Sequence, residues 1–291
     1  MFRSIEELVQ IAESQNKSIA TIMVEMEMEA NGRTKEDIYQ QMEKNLAVME
    51  AAVLKGISGV KSSTGLTGGD AVRMQRYIAS GKALSGDTIL EAVTSAIATN
   101  EVNAAMGTVC ATPTAGSAGT VPGVLFGLVD KLEPTRKEMV DFLMTAGAFG
   151  LVCANNASIS GAEGGCQAEV GTASAMAAAS AVQLAGGTPR QSAHAFGIAL
   201  QNMLGLVCDP VAGLVEIPCI KRNAAGSSNA LIAADMALAG LISEIPADEV
   251  ISAMNEIGKS LPRAYRETAE GGLANTKTAR KLEAQVFGCS C

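Results

Sequence analysis

Apolar positions along this chain recur at helical spacing over most of its length. In Thr34–Ile57, "TKEDIYQQMEKNLAVMEAAVLKGI", Ile38, Met42, Leu46, Met49 and Val53 line one face, and charged residues occupy the other. "SIEELVQIAE" opens on Ser4 with acids in the first turn, which is a helix start. Further helices are expected over about 87–105, from "TRKE" at 135–138 to about Cys153, and from Cys166 to Leu184. Another starts at "TPRQ" (188–191), where Thr188 caps, Pro189 takes the first helical position and Gln191 reaches back. The last three are expected at about 223–243, 247–260 and 276–286. Period-two alternation is nearly absent. "GLVEIPC" is the best strand candidate, and it is short. The fold class expected is all-α, a compact helical bundle broken by Gly-rich loops, in one domain over 1–291.

Composition sharpens that picture. Of 291 residues, 48% are apolar but only 3% aromatic, with no Trp and 30 Gly. Such a core is packed from Ala, Val, Leu, Ile and Met, and small residues let helices approach closely. The net charge of −8 argues against a nucleic-acid partner. The first residues, MFRSIEELVQIAESQ, place acids where a signal peptide needs an apolar run. No charge-free stretch is long enough for a bilayer. The expectation is a cytoplasmic protein without membrane contact. The seven cysteines are an odd number, and a reducing compartment disfavours a disulfide framework.

The Gly-rich breaks hold the residues with chemistry. Cys166, Cys208 and Cys219 each lie in a segment rich in Gly, Asn, Asp or Pro. Cys166 follows Gly164-Gly165 at an expected helix start, which would favour its thiolate. Buried free thiols are the plain alternative for all three. Structural zinc sites use closely spaced Cys and His pairs, and the chain has a single His. Ferredoxin-type clusters need short Cys-x-x-Cys runs that are missing here. A 4Fe–4S cluster held by three thiolates fits better, because its fourth iron stays exchangeable and acts as a Lewis acid.

"NASISGAEGGCQAEVGTASAMAAA" (156–179) and "GLVCDPVAGLVEIPCIKRNA" (205–224) resemble the segments that mark iron–sulfur L-serine dehydratases. "ATPTAGSAGTVPG" (111–123) and "YRETAEGGLA" (265–274) resemble two further blocks of that family. The resemblance spans most of the chain. It implies an all-helical catalytic chain of the two-subunit type, a separate beta chain as partner, and an oligomer. Cys166, Cys208 and Cys219 fall on its cluster-ligand positions. A cysteine near the C-terminus can take the fourth iron in this family, and here Cys291 is preferred over Cys289, on a tail (about 276–291) folding back towards the site.

The implied reaction is deamination of L-serine to pyruvate and ammonia. Substrate-binding candidates are Ser63, Thr64, Thr114, Asn156, Ser158 and Ser160 as loop hydroxyls and amides, Glu163 for the ammonium, and Arg222 for the carboxylate or the cluster charge. Lys61 and His194 are weak candidates for the base. His194 lies outside every resembling block, so a base from the partner chain stays open. Competing readings keep the cluster and change the use: a lyase acting on L-cysteine or another hydroxy acid, or an iron–sulfur redox sensor.

Overall fold

In the computed structural model, which describes residues 2–288, the chain is all-helical. The helices are α1 (Ile5–Gln15), α2 (Ile19–Asn31), α3 (Lys35–Ile57), α4 (Asp70–Ala79), α5 (Asp87–Ala104), α6 (Thr120–Gly127) and α7 (Val129–Leu132). They continue with α8 (Arg136–Asn156), α9 (Gly161–Gly164), α10 (Thr172–Leu184), α11 (Pro189–Gln201), α12 (Cys219–Leu238), α13 (Ala247–Ser260) and α14 (Lys277–Phe287). Among the described residues there is no strand, only the isolated bridges Lys61–Gly68 and Cys208–Arg266. No described helix is long and apolar enough to cross a membrane.

The expected caps form. Thr135 and Thr188 each close a reciprocal capping box, with Glu138 and Gln191. At the centre runs α10, whose residues from Thr172 to Val182 are all buried. It is built of Ala, Ser and Met, so α6, α8, α11 and α12 pack around it on every side. Its hydroxyls are absorbed locally: Ser174 donates to the Gly226 carbonyl at 2.7 Å and Ser180 to that of Met176 at 2.9 Å.

Several boundaries differ from the sequence pattern. α6 begins inside 106–123, which its Gly, Pro and Thr mark as a break, and α4 follows the Gly56–Asp70 loop in a stretch given no element. Pro122 sits in the first turn of α6, where a missing N–H breaks no helical bond. "GLVEIPC" is no strand; Val211–Gly213 forms a single 3-10 turn and α12 begins at Cys219, ahead of the expected 223, and ends at Leu238. Cys166 does not open an α-helix. It precedes a π-helical turn, Gln167–Gly171, that leads into α10.

Candidate active site

The three cysteines of the resembling blocks come together from separate segments. Cys166 is 2%, Cys208 3% and Cys219 8% exposed, and none is in a disulfide. Two of the thiols raise the proton affinity of a neighbour: Cys166 and Cys219 both act on Cys208, and Cys166 acts on Cys219. Burial pushes the Cys166 thiol up to about 12, against the lowering pull of the Arg222 guanidinium. Burial likewise raises Cys208 and Cys219. The thiolate expected from a helix N-terminus at Cys166 is therefore not favoured by the chain alone: desolvation outweighs Arg222 and the Val170 N–H.

Two buried amides fix these segments. The Gln167 side chain donates to the Gly164 and Met254 carbonyls at 2.9 and 3.0 Å and accepts from Gly205 N–H at 2.9 Å. It thereby ties the Cys166 turn to α13 and to the strand-like approach to Cys208. Asn223, one turn after Cys219, donates to the Cys219 and Gly116 carbonyls at 3.0 and 2.7 Å. Its Oδ1 accepts from Gly119 and Thr120 N–H at 3.2 and 3.1 Å. The 265–274 block docks on Cys208, whose N–H donates to the Tyr265 carbonyl (2.9 Å) and whose carbonyl accepts from Glu267 N–H (2.7 Å). To make that turn, Glu267 and Ala269 take φ of 62° and 57°, a backbone region costly for non-glycine residues and concentrated at functional sites.

Charged side chains complete the site. Arg222 forms a buried ion pair with Asp209 at 2.8 Å and donates to the Val207 carbonyl at 2.8 Å. Asp209 Oδ2 also accepts from Leu273 N–H at 2.7 Å. Glu169 accepts a short hydrogen bond from the Thr114 hydroxyl. Its carboxyl is raised by burial, held back by Thr114 and raised again by Glu267. Neither Glu169 nor the anchoring pair Gln167 and Asn223 follows from residue type in the sequence. The available signal is their position, within three residues of Cys166 or one helical turn after Cys219.

The other sequence candidates are distributed around this centre. Thr64 donates to buried Glu216 at 2.7 Å, and Thr67 donates to its other oxygen at 2.5 Å. This pins the 58–69 loop to the segment leading into Cys219. Lys61 lines a cleft of about 570 Å³ there, with Arg73, Glu216 and Lys221, and Ser63 is exposed on the same loop. A second cleft, about 650 Å³, is lined by Asn156, Ser158, Glu163, Lys259 and Arg266. In it Asn156 bonds the Arg3 and Val152 carbonyls, Ser158 and Ser160 accept from backbone N–H two residues on, and Glu163 is exposed. The structure does not bring His194 to the thiols. It lies among Glu6, Arg190, Ser243 and Asp248, accepting from Ser243 N–H at 3.3 Å. Cys289 and Cys291 lie outside the described residues. α14, which precedes them, packs against the Val211–Gly213 turn between Cys208 and Cys219.

Among the described residues, no three Cys, His, Asp or Glu side chains close on a single metal ion. A cluster would not require them to, since each thiolate would bind a separate iron. Three soft, buried sulfur donors without closely spaced His suit iron–sulfur ligation better than zinc.

Comparisons with known proteins give the family. The profile of the family described as "Serine dehydratase alpha chain" matches residues 14–274. The chain is 67% identical over 288 residues to a probable L-serine dehydratase alpha chain of Bacillus subtilis (strain 168), covering 99% of this chain and 96% of that one. It is 42% identical over 283 residues to the L-serine dehydratase alpha chain of Peptoniphilus asaccharolyticus, covering 97% of each. An L-serine dehydratase of Escherichia coli (strain K12) is 38% identical over 281 residues, which cover 94% of this chain and 61% of that longer one. With the family profile matching nearly its whole length, this chain belongs to the serine dehydratase alpha chain family.

Proposed function

We propose that the chain is the catalytic subunit of an L-serine dehydratase, converting L-serine to pyruvate and ammonia with a 4Fe–4S cluster held by Cys166, Cys208 and Cys219. The observation that carries this reading is three buried, unbridged thiols from separate segments, near enough for charge on one to act on another. Burial alone would leave them neutral, so they become thiolates only opposite a cation of high charge. When bound, the cluster supplies an exchangeable iron that acts as a Lewis acid on the substrate hydroxyl.

The chain's own residues bind and orient. Arg222 offsets negative charge at the thiols and is itself fixed by Asp209 and the Val207 carbonyl. Arg266, in the cleft with Ser158, has a buried Nε without a protein partner and supplies a donor for the substrate carboxylate. The 157–160 loop borders the cleft that holds Arg266, and the Thr64–Glu216 hydrogen bond holds the 58–69 loop against the segment leading into Cys219. The relatives named alpha chains support a separate beta chain as partner. Reduced thiols and an exchangeable iron suit the cytoplasm.

Anaerobic reconstitution with iron and sulfide, in the presence of a beta chain, tests the reading. Broad visible absorption and pyruvate release from L-serine are expected, and Cys166→Ser, Cys208→Ser and Cys219→Ser should each lose both. Full activity from iron-free protein would refute it.

A further inference from the structure

The thiol site carries more negative charge than its own cations balance. Glu169 and Glu267 both act on Cys208 and Cys219. Arg222, the buried cation beside them, is already paired with Asp209 at 2.8 Å. Lys221 is turned outwards, 79% exposed, towards Asp70. A 2+ cluster core held by three thiolates would keep a net negative charge, so it would not offset the two glutamates, and neither forms an ion pair among the described residues.

Within that site Glu169 has a particular geometry. Its Oε1 is tethered by the Thr114 hydroxyl, and its Oε2 takes no hydrogen bond from the described residues. Two glycines keep the carboxylate clear. A Cβ at Gly116 would collide with Oε1. A Cβ at Gly161 would sit 3.0 Å from Oε2 and 2.9 Å from Cys208 Sγ, so the free oxygen and the thiol border the same small space. The π-turn places Glu169 three residues after Cys166, and such turns recur at functional sites.

We infer that Glu169 is the residue that selects an amino acid over a hydroxy acid: its free Oε2 takes the α-ammonium of the substrate, and Thr114 is the positioning residue that holds the carboxylate ready. The inference rests on the serine dehydratase reading and assigns the group that recognises the amine. L-serine and glycerate both offer a carboxylate and a β-hydroxyl, and they differ at Cα, where one has an ammonium and the other a hydroxyl. A carboxylate with one oxygen already satisfied makes a charge-assisted hydrogen bond with the ammonium. With a hydroxyl it makes a neutral–ionic bond and keeps its charge uncompensated. Glu267 adds a second negative charge that favours the same choice.

The test uses anaerobically reconstituted protein with its beta chain, and rapid-mixing titration of its visible absorption with L-serine and with glycerate alongside steady-state rates. Wild type should bind L-serine more tightly than glycerate. Glu169→Gln should keep the visible absorption, bind L-serine about tenfold or more weakly, and bind glycerate unchanged. KM for L-serine should rise by more than kcat falls. Thr114→Val should shift the preference in the same direction by a smaller factor. Serine binding within twofold of wild type in Glu169→Gln, or equal losses for serine and glycerate, would overturn the inference. If Glu169→Gln takes up no cluster, Thr114→Val decides alone: an unchanged preference refutes the role and a reduced one supports it. Wild-type protein that takes up the cluster yet neither binds nor deaminates L-serine refutes the dehydratase reading itself, an outcome distinct from a normal wild type beside an unaffected variant.

Discussion

Arg222 is the side chain on which the charge balance of the thiol site turns. Its partner Asp209 is 3% exposed, and only the Leu273 N–H compensates it otherwise. Removing one member of a buried ion pair strands the other. Arg222→Met should therefore cost about 3 kcal/mol in urea unfolding of the iron-free protein, and adding Asp209→Leu should recover much of that loss. Sequence reading singled out Arg222 because it follows Cys219, but residue type could not say that its partner stands just after Cys208. Glu101 is a buried charge of another kind. Its carboxylate accepts from Asp70 N–H at 2.6 Å and Ala71 N–H at 3.4 Å, at the start of α4. Burial nonetheless lifts its carboxyl above the ordinary range, and the backbone donors offset this only in part. Between the unfolded and the raised folded value, the native state holds a proton that the unfolded chain has released. Glu101 thus makes stability fall as pH rises through that window. Glu101→Gln should flatten this part of the stability curve, read by urea unfolding from about pH 4 to pH 7.

Helix α6 owes its place to three glycines, Gly119, Gly123 and Gly127, spaced one helical turn apart against α5. A Cβ at Gly127 would come within 2.6 Å of Ala92 Cβ and 2.7 Å of its backbone nitrogen, and one at Gly123 within 2.8 Å of Ala96 Cβ. Backbone cannot yield as a flexible side chain does, so Gly127→Val should lower stability by about 1–3 kcal/mol or more. Gly147→Ala is the matched control. Nothing lies within 4 Å of its added Cβ in α8, and it should stabilise by about 0.5–1 kcal/mol. Thermal unfolding of the two variants checks both signs. The same glycines that seat α6 made it read as a break, because Gly and Pro density signals a loop unless the neighbouring helix is known. α8 and α11 were legible for the opposite reason: their capping boxes and apolar stripes are local, and Thr135 and Thr188 need no distant partner. α4 lacks a side-chain cap of its own and takes its support from Glu101 on α5.

At the scale of the whole molecule, the thiol site is a junction. The turn before α10, the approach to Cys208, the start of α12 and the 265–274 segment meet there. Their contacts run through Gln167, Asn223 and the Cys208 backbone rather than through a large apolar core. A cluster held by three of these segments, as proposed, would stabilise the folded state by mass action and cross-link them. Loading should raise the thermal midpoint by several degrees, and removal of iron by a chelator should reverse the shift, read by anaerobic calorimetry. A midpoint insensitive to loading would mean the cysteines do not share the metal. The sequence by itself determined the helical class, the caps at Ser4, Thr135 and Thr188 and the blocks that carry Cys166, Cys208 and Cys219, because each depends on neighbours within a turn or two. Only the tertiary structure decided that the three thiols meet beside Glu169 and Arg222, that His194 stands elsewhere, and that Cys166 is desolvated rather than poised as a thiolate. Those facts depend on burial and on contacts between residues tens of positions apart, which no local pattern records.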